Sequence, residues 1–479
     1  MKRSLLIALL LAALTAILYP VARERWRLLN RWGDYTGYNV LLITLDTTRA
    51  DFLSCYNRGL GPMPGMEGAA EGAIVFEAAT APTTTTVPSH ASILTGVYPS
   101  DHGVLHNVQR LDSAWVSMAE IFQGAGYRTA AFLSAGGIIR KNLSQGFDLV
   151  DDEVPVHEAV DWQRSATETN KRVLPWLDMQ STDPFFLWVH YYDPHTPMDA
   201  TTGARAKAPG YRGRFCGGVR AEDGGYDGVD TLGAEDFAFL RLLYEEEVRA
   251  MDRAIGDLLC KIEEQGLADR TVVVIAGDHG ESLGEKGYIG HDGDLLHEPL
   301  VHVPFLLRLP PAPRGVPGEP AGRPWLRRRV SESVGLCDIL PTLLALLPGL
   351  GSSPHDLSGQ SLLPFCARFS GGGAPDRIVF SEAPADLREG EIVPRRNFAA
   401  RAGRWKLVSG PDGAALFDVR QDRREEKPVA SGSEQTRRLG DELASWVASH
   451  SPIGQPTSTI TSEPDDEVLE AMRALGYIK

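Results

Sequence analysis

Asn39-Val-Leu-Leu-Ile-Thr-Leu-Asp46 is a near-continuous apolar run that stops at a carboxylate. A strand with one wet face alternates apolar and polar residues; a run apolar at both parities fits a parallel strand covered on both faces. The pattern returns in Pro184-Phe-Phe-Leu-Trp-Val-His-Tyr-Tyr192, followed by Asp193, and in Thr271-Val-Val-Val-Ile-Ala276, with Asp278 and His279 just beyond. Open parallel α/β sheets bind ligands outside the carboxyl ends of their strands, so three such ends bearing acids predict one shared site. Asp after a strand is also a common helix N-cap or turn former, and each acid taken singly admits that reading.

Outward from these strands, Leu240, Leu243, Tyr244, Val248, Met251, Ile255, Leu258, Leu259 and Ile262 recur at helical spacing, with Gly266 as a C-cap. That spacing predicts a packing helix whose Tyr and Met belong to the core. A second apolar helix is predicted over Val334–Leu347 in spite of Pro341. The Gly-rich stretch Asp199–Gly233 reads as a long irregular loop beside the site, and Pro310–Pro324 as a second excursion. After Ser370-Gly-Gly-Gly-Ala-Pro375, the segments Ile378–Phe380, Phe398–Ala400, Trp405–Val408 and Ala415–Phe417 read as short strands of a small sheet, and an amphipathic helix begins near Ser433. The expected fold class is α/β: a large, mostly parallel sheet flanked by helices over residues 39–369, then a small C-terminal α+β subdomain over 376–479.

The chain has 479 residues, 43% of them hydrophobic and 23% charged, which describes a globular protein. Its net charge of -15 argues against a nucleic-acid binding surface. Cys55, Cys216, Cys260, Cys337 and Cys366 are scattered without CxxC spacing, against a zinc ribbon or disulfide scaffold. Lys2 and Arg3 precede the apolar run Leu5–Tyr19, the pattern of an export signal, so the remainder is expected outside the cytoplasm, in a periplasm or cell envelope. With no Ala-x-Ala cleavage site before Pro20, residues 1–22 read as an uncleaved membrane anchor and 23–38 as a linker. Cleavage would make the protein secreted, and Arg23, Arg25, Arg27 and Arg31 after the run count against this topology. Oligomeric state is not encoded in any pattern of this chain.

In Thr83-Thr-Thr-Thr-Val-Pro-Ser-His-Ala-Ser-Ile-Leu-Thr-Gly96, Pro88 suits the first turn of a helix and Gly96 its end. Thr86 then stands at a helix N-terminus, where unsatisfied N–H groups and the helix dipole favour an oxyanion and help a hydroxyl ionise. A plain capping role for Thr86 fits the same stretch.

The segments NVLLITLDTTRADFLSCYN, TVPSHASILTGVYPSDHG, YYDPHTP, LYEEEVRAMDRAIG, VVVIAGDHGESLGEKG, HVPFLLRLP, CDILPTLLALLPG, LSGQSLLP and RWKLV…ALFDV resemble, in this order, the landmarks of the sulfatase family. The resemblance implies an alkaline-phosphatase-like fold and hydrolysis of sulfuric or phosphoric esters. Departures from the family pattern carry as much information. The signature C-x-P-S-R is here Thr86-x-Pro88-Ser89-His90, so no formylglycine can form, and the paired Asp after the first strand is Asp46-Thr47. The family's GKWHLG has no counterpart in Tyr127–Ala135, and Lys286 replaces the His of GEHG, a candidate anion contact.

T-x-P-x-H-x-S-x-x-T-G-x-Y-P-x-x-H-G is similar to the nucleophile segment of nucleotide pyrophosphatases/phosphodiesterases, the two-metal branch of the superfamily. That resemblance implies one metal held by Asp46, Thr86, Asp278 and His279, and a second held by an Asp and two His, with Asp193, His195 and His291 as candidates. It also places Ser89 and His90 against the substrate; His195 stands in the family's D-P-H-T-P segment, whose His contacts substrate. The chemistry points the same way. A formylglycine hemiacetal ester eliminates by itself, whereas a Thr ester must be cleaved by an activated water, which a second metal supplies. Mixed His and carboxylate ligands favour two zinc ions, with a single calcium as the alternative. The leading expectation is a metal-dependent phosphate mono- or diester hydrolase, sulfate esters included, with Thr86 as nucleophile and His195 or His291 assisting. The alternatives are an envelope phospho-group transferase using the same Thr, and a binding protein that kept the fold without catalysis.

Overall fold

The computed structural model describes residues 34–135, 143–153, 164–179, 182–195, 232–291, 294–311, 328–366, 377–383, 385–388, 391–393, 397–430 and 432–450. Eight strands make the main sheet: β1 (Asn39–Leu45), β2 (Ile74–Thr80), β3 (Arg128–Leu133), β4 (Leu149–Asp151), β5 (Phe185–Tyr191), β6 (Thr271–Gly277), β7 (Phe305–Arg308) and β8 (Arg329–Gly335). Their spatial order is β8-β2-β7-β6-β1-β5-β3-β4, and only β7 runs antiparallel to its neighbours. This is an alkaline-phosphatase-like α/β architecture. The three acid-tipped strands are adjacent, with β1 between β5 and β6 and Leu45 in register with both Tyr191 and Gly277.

Strand β1 is buried at every position, as a run without alternation requires. Val40 and Leu42 join one core; Leu41, Ile43 and Leu45 join the other. The helices are α1 (Pro64–Ala70), α2 (Thr86–Thr95), α3 (Met118–Gly124), α4 (Ala166–Asp178), α5 (Ala234–Glu264), α6 (Ile339–Leu346) and α7 (Glu434–His450). Residues of α2, α3 and α6 fill the first core, and those of α1, α4 and α5 the second. All nine periodic residues of α5 are buried, each large apolar side chain contributing about 1.5–3 kcal/mol. Helix α1 meets α5 closely: a Cβ on Gly65 would lie 1.9 Å from the Asp252 carbonyl oxygen, while the Asp252 carboxylate accepts the Gly65 and Met66 N–H groups.

One predicted element divides. Within the stretch Val334–Leu347, Val334 and Gly335 end β8, a 3-10 turn covers Leu336–Asp338, and α6 starts only at Ile339. The Asp338 carboxylate accepts the Gly335 N–H at 2.7 Å and binds Arg377, turning the chain before the helix begins. Pro341 consequently falls in a first helical turn, where its missing N–H has no helical partner to lose.

The C-terminal sheet has the order β9 (Ile378–Glu382), β10 (Phe398–Ala402), β11 (Trp405–Gly410), β12 (Gly413–Asp418), all antiparallel, with Leu439, Leu443 and Trp446 of α7 in its core. A buried ionic cluster ties it to the main sheet: Arg401 Nη1 lies 2.7 and 2.6 Å from the Glu298 oxygens, and Lys406 Nζ lies 3.3 Å from Glu298 and 2.8 Å from Glu425. The segment after Glu298 also bridges the gap that β7 opens between β2 and β6. Its Val301 carbonyl accepts the Ala81 N–H at 2.8 Å and its Leu300 carbonyl the Gly280 N–H at 2.7 Å. Among the described residues, no helix is long and apolar enough to cross a membrane. The expected anchor (1–22), most of Asp199–Gly233 and of Pro310–Pro324, and the Ser370–Pro375 link lie outside the described residues.

Candidate active site and metal centre

Because Leu45 and Gly277 are in register, Asp46 and Asp278 leave the sheet side by side, one strand spacing of about 4.8 Å apart. His279 follows, and ligand atoms of Asp46, Asp278 and His279 all lie within 4.8 Å of one another, fully buried. Asp278 Oδ1 accepts the N–H groups of Thr47 (3.1 Å) and His279 (2.7 Å), and Asp46 Oδ2 lies 3.2 Å from His190 Nε2. Asp46 Oδ1 and Asp278 Oδ2 are buried without a hydrogen-bond partner. Burial pushes both carboxyls up, and the charge of Asp46 raises Asp278 further, well above the carboxylate range.

The His279 ring completes the case for a cation. Its Nδ1 lies 3.0 Å from the Gly280 carbonyl oxygen, which can only accept, so Nδ1 carries the proton and Nε2 presents a lone pair. That lone pair faces Asp278 Oδ2 at 3.4 Å. Acceptors converging in a buried space, two of them unpartnered carboxylate oxygens, fit a divalent metal ion. Gly280 is required here, since a Cβ would lie 2.0 Å from the Pro299 carbonyl oxygen.

Thr86 is the first residue of α2, after Thr85 as N-cap, and its Oγ1 lies 3.4 Å from His279 Nε2. Burial dominates the Asp46 carboxyl, and the nearby Thr86 hydroxyl acts the other way, favouring its charged form. The anion cradle expected at this helix start is narrower than the sequence suggests. The Val87 N–H donates to Asn107 Oδ1 at 2.9 Å, Pro88 has no N–H, and the Ser89 N–H donates to the Thr85 carbonyl. Ser89 and His90, expected against the substrate, point inward instead. Ser89 Oγ donates to the Asp278 carbonyl at 2.7 Å, tying α2 to the loop after β6. His90 is fully buried, with Nδ1 2.8 Å from the Thr86 carbonyl and Nε2 3.0 Å from Thr44 Oγ1. Burial, with His190 close by, lowers it to about 3.

His291 and His195 do reach this edge. His291 Nδ1 donates to the Thr84 carbonyl at 3.1 Å, its Nε2 lies 3.1 Å from His195 Nε2, and its ring centroid is 4.6 Å from that of His279. Asp193 does not join them as the expected second ligand set. The residue level with Asp46 is Tyr192; Asp193 comes one later, and both of its oxygens accept the Ala166 N–H (3.1 and 2.9 Å) at the start of α4. Burial and the neighbouring Glu247 push its carboxyl up to about 7. Lys286 is likewise engaged elsewhere: its exposed ammonium donates to the Glu425 carbonyl and lies 5.5 Å from the Phe417 ring centroid.

Sequence reasoning passed over several residues that shape the site. His190 contacts Asp46 from within β5; a lone His in an otherwise apolar strand, two register steps before the residue level with the acid, was the available signal. Tyr244, read only as core, also donates from its hydroxyl to the Thr47 carbonyl at 2.5 Å and accepts the Arg49 N–H at 2.9 Å. These bonds hold Thr47 at φ 47°, a left-handed conformation costly for a β-branched residue. Arg49 then reaches the Glu281 carbonyl and the Glu285 carboxylate, fixing the loop that leads to His291.

Residues 38–350 match the Sulfatase family. A multifunctional alkaline phosphatase superfamily protein, PehA of Trinickia caryophylli, is 25% identical over 69% of this chain and 77% of its own. An ulvan-active sulfatase of Formosa agariphila is 24% identical over 95% of this chain and 84% of its own. Among solved structures, a phosphonate monoester hydrolase of Agrobacterium radiobacter superposes with a TM-score of 0.65 at 21% identity, covering 86% of this chain and 96% of that one.

Proposed function

The chain belongs to the sulfatase family, and from that premise we propose that it hydrolyses phosphate or sulfate esters with Thr86 as its nucleophile. One observation carries the reading: the Thr86 hydroxyl sits at a helix start, 3.4 Å from His279 Nε2 and beside two buried carboxylates. A divalent cation held by Asp46, Asp278 and His279 would neutralise charge on the transferring group and favour ionisation of a nearby hydroxyl. Thr86 Oγ1 attacks the phosphorus or sulfur, forming the new O–P or O–S bond as the bond to the alcohol breaks. Its proton has a buried acceptor in Asp46, and the hydrogen-bonded His195–His291 pair stands ready to protonate the departing alkoxide.

A Thr ester does not break down by itself, so the same imidazole pair would take a proton from the water that cleaves it and restores Thr86. This assigns His195 and His291 to proton transfer, a role that does not require Asp193 beside them. The test is turnover of nitrophenyl phosphate, bis-nitrophenyl phosphate and nitrophenyl sulfate by the purified protein, with metal content measured alongside. At least one ester is expected to turn over, with a loss of roughly 10³-fold or more in Thr86→Ala. Full activity in Thr86→Ala would sink the mechanism.

A further inference from the structure

We propose that Trp188, Thr44 and His90 form a positioning relay that holds the Thr86 carbonyl, and with it the Thr86 hydroxyl, in place. The proposal rests on the reading of Thr86 as nucleophile. The donor inventory leaves one self-consistent direction for these bonds. An indole N–H can only donate, and Trp188 Nε1 gives its hydrogen to Thr44 Oγ1 at 2.8 Å. Thr44 has a single hydroxyl hydrogen, and His90 Nε2 lies 3.0 Å away. A ring nitrogen that accepts is unprotonated, so the neutral imidazole carries its proton on Nδ1 and donates it to the Thr86 carbonyl at 2.8 Å.

The reverse direction fails on the same distances. A proton on Nε2 would leave the Nδ1 lone pair facing the Thr86 carbonyl oxygen, and Thr44 would accept twice with its own hydrogen displaced. Asp278 Oδ2, 3.5 Å from Nδ1, is another acceptor and also calls for a proton there. All four residues of the relay are at most 1% exposed, so solvent does not compete for these bonds. The His90 ring is further fixed against Trp188 and His190, at centroid distances of 5.4 and 5.1 Å.

As the first residue of its helix Thr86 has no intrahelical acceptor for its N–H, and the His90 ring adds a side-chain donor to a carbonyl that the helix already engages. Rotation of its peptide would swing the hydroxyl away from His279 and Asp46. Small misplacements of a reacting group cost rate rather than binding, roughly 10²-fold for about 1 Å.

The decisive comparison is His90→Asn with His90→Gln. An Asn amide nitrogen can replace Nδ1 and keep donating to Thr86, whereas a Gln amide takes the place of Nε2 and loses that bond. With bis-nitrophenyl phosphate as probe, kcat is expected to stay within roughly tenfold in His90→Asn and to fall roughly 10²-fold in His90→Gln, with KM little changed in both. A role in filling space alone would favour Gln, the closer match in volume. Gln equal to or better than Asn overturns the relay, as does a kcat loss that simply follows melting temperature. A second readout is the ¹⁵N spectrum of histidine-labelled protein, with His90 assigned by its absence in His90→Asn. The Nδ1–H tautomer is expected, and an Nε2–H tautomer overturns the relay even if the probe is not turned over. Thr86→Ala in the same assay separates the two readings. Full turnover there removes the nucleophile, whereas a dead Thr86→Ala with indistinguishable Asn and Gln variants removes only the relay.

Discussion

Two buried polar clusters in this protein treat charge in opposite ways. At the junction with the C-terminal sheet, Glu298, Arg401, Lys406 and Glu425 alternate in sign; although burial alone would raise it, Arg401 and Lys406 hold the Glu298 carboxyl down at about 2. At the carboxyl edge of the main sheet, Asp46 and Asp278 stand together with an oxygen each unpartnered and both carboxyls raised. The first cluster balances two acids with two bases inside the chain, although burial raises Glu425 and leaves its Oε1 and Lys406 Nζ paired by charge without a hydrogen bond. The second leaves charge open, which marks a place where something else binds.

The comparison breaks most readily at Arg401. Arg401→Met would leave Glu298 buried with less than its full compensation, and a loss of about 3–5 kcal/mol is expected in urea unfolding. A loss under 1 kcal/mol would mean that this cluster is as open as the other. A lone buried carboxylate gives the intermediate case. Burial raises Glu382 to about 7, against its bond from the Ser100 N–H. Because the folded value lies above the unfolded one, its contribution is complete below about pH 4.5 and fades as pH rises through 7. Stability should therefore fall by about 2–3 kcal/mol between pH 4 and 8, a slope that Glu382→Gln should flatten.

At the open cluster the sign reverses. Asp278→Asn keeps an oxygen for the Thr47 and His279 N–H groups while removing one of two like charges. In chelator, it is expected to raise stability by about 1–2 kcal/mol and to abolish metal binding, read by thermal melts and metal analysis. Destabilisation of the metal-free protein would show that the site's charge was already balanced. The smallest change is Ser89→Ala, which removes the bond to the Asp278 carbonyl and should cost about 1 kcal/mol in the same melts.

The sheet was readable because burial on both faces writes itself into a strand as an apolar run at both parities, and β1, β5 and β6 each end where that run stops. The stripe of α5 and the C-terminal strands were legible by period alone. Asp46, Asp278 and His279 were legible too, because each closely follows a strand end; the rest of the cluster was not, because it depends on which tertiary partner captures each polar side chain. Asp193 is taken by the start of α4, Ser89 by a carbonyl and Lys286 by the C-terminal sheet, and none of these partners is close in sequence. Val334 was misassigned for a related reason: strand and helix cores are equally apolar, and only Asp338 marks the turn between them.

The bridge at Leu300 and Val301 bears on how such a site can change over evolutionary time. It links the segment that delivers residue 86 to the segment that delivers Asp278 through main-chain bonds, to the N–H groups of Ala81 and Gly280, beside the Ser89 side-chain bond. A spacing fixed by backbone does not depend on which side chain occupies position 86. The scaffold can thus change the residue at position 86 in a single substitution and keep this backbone spacing, whereas a one-residue insertion in the bridge would undo it.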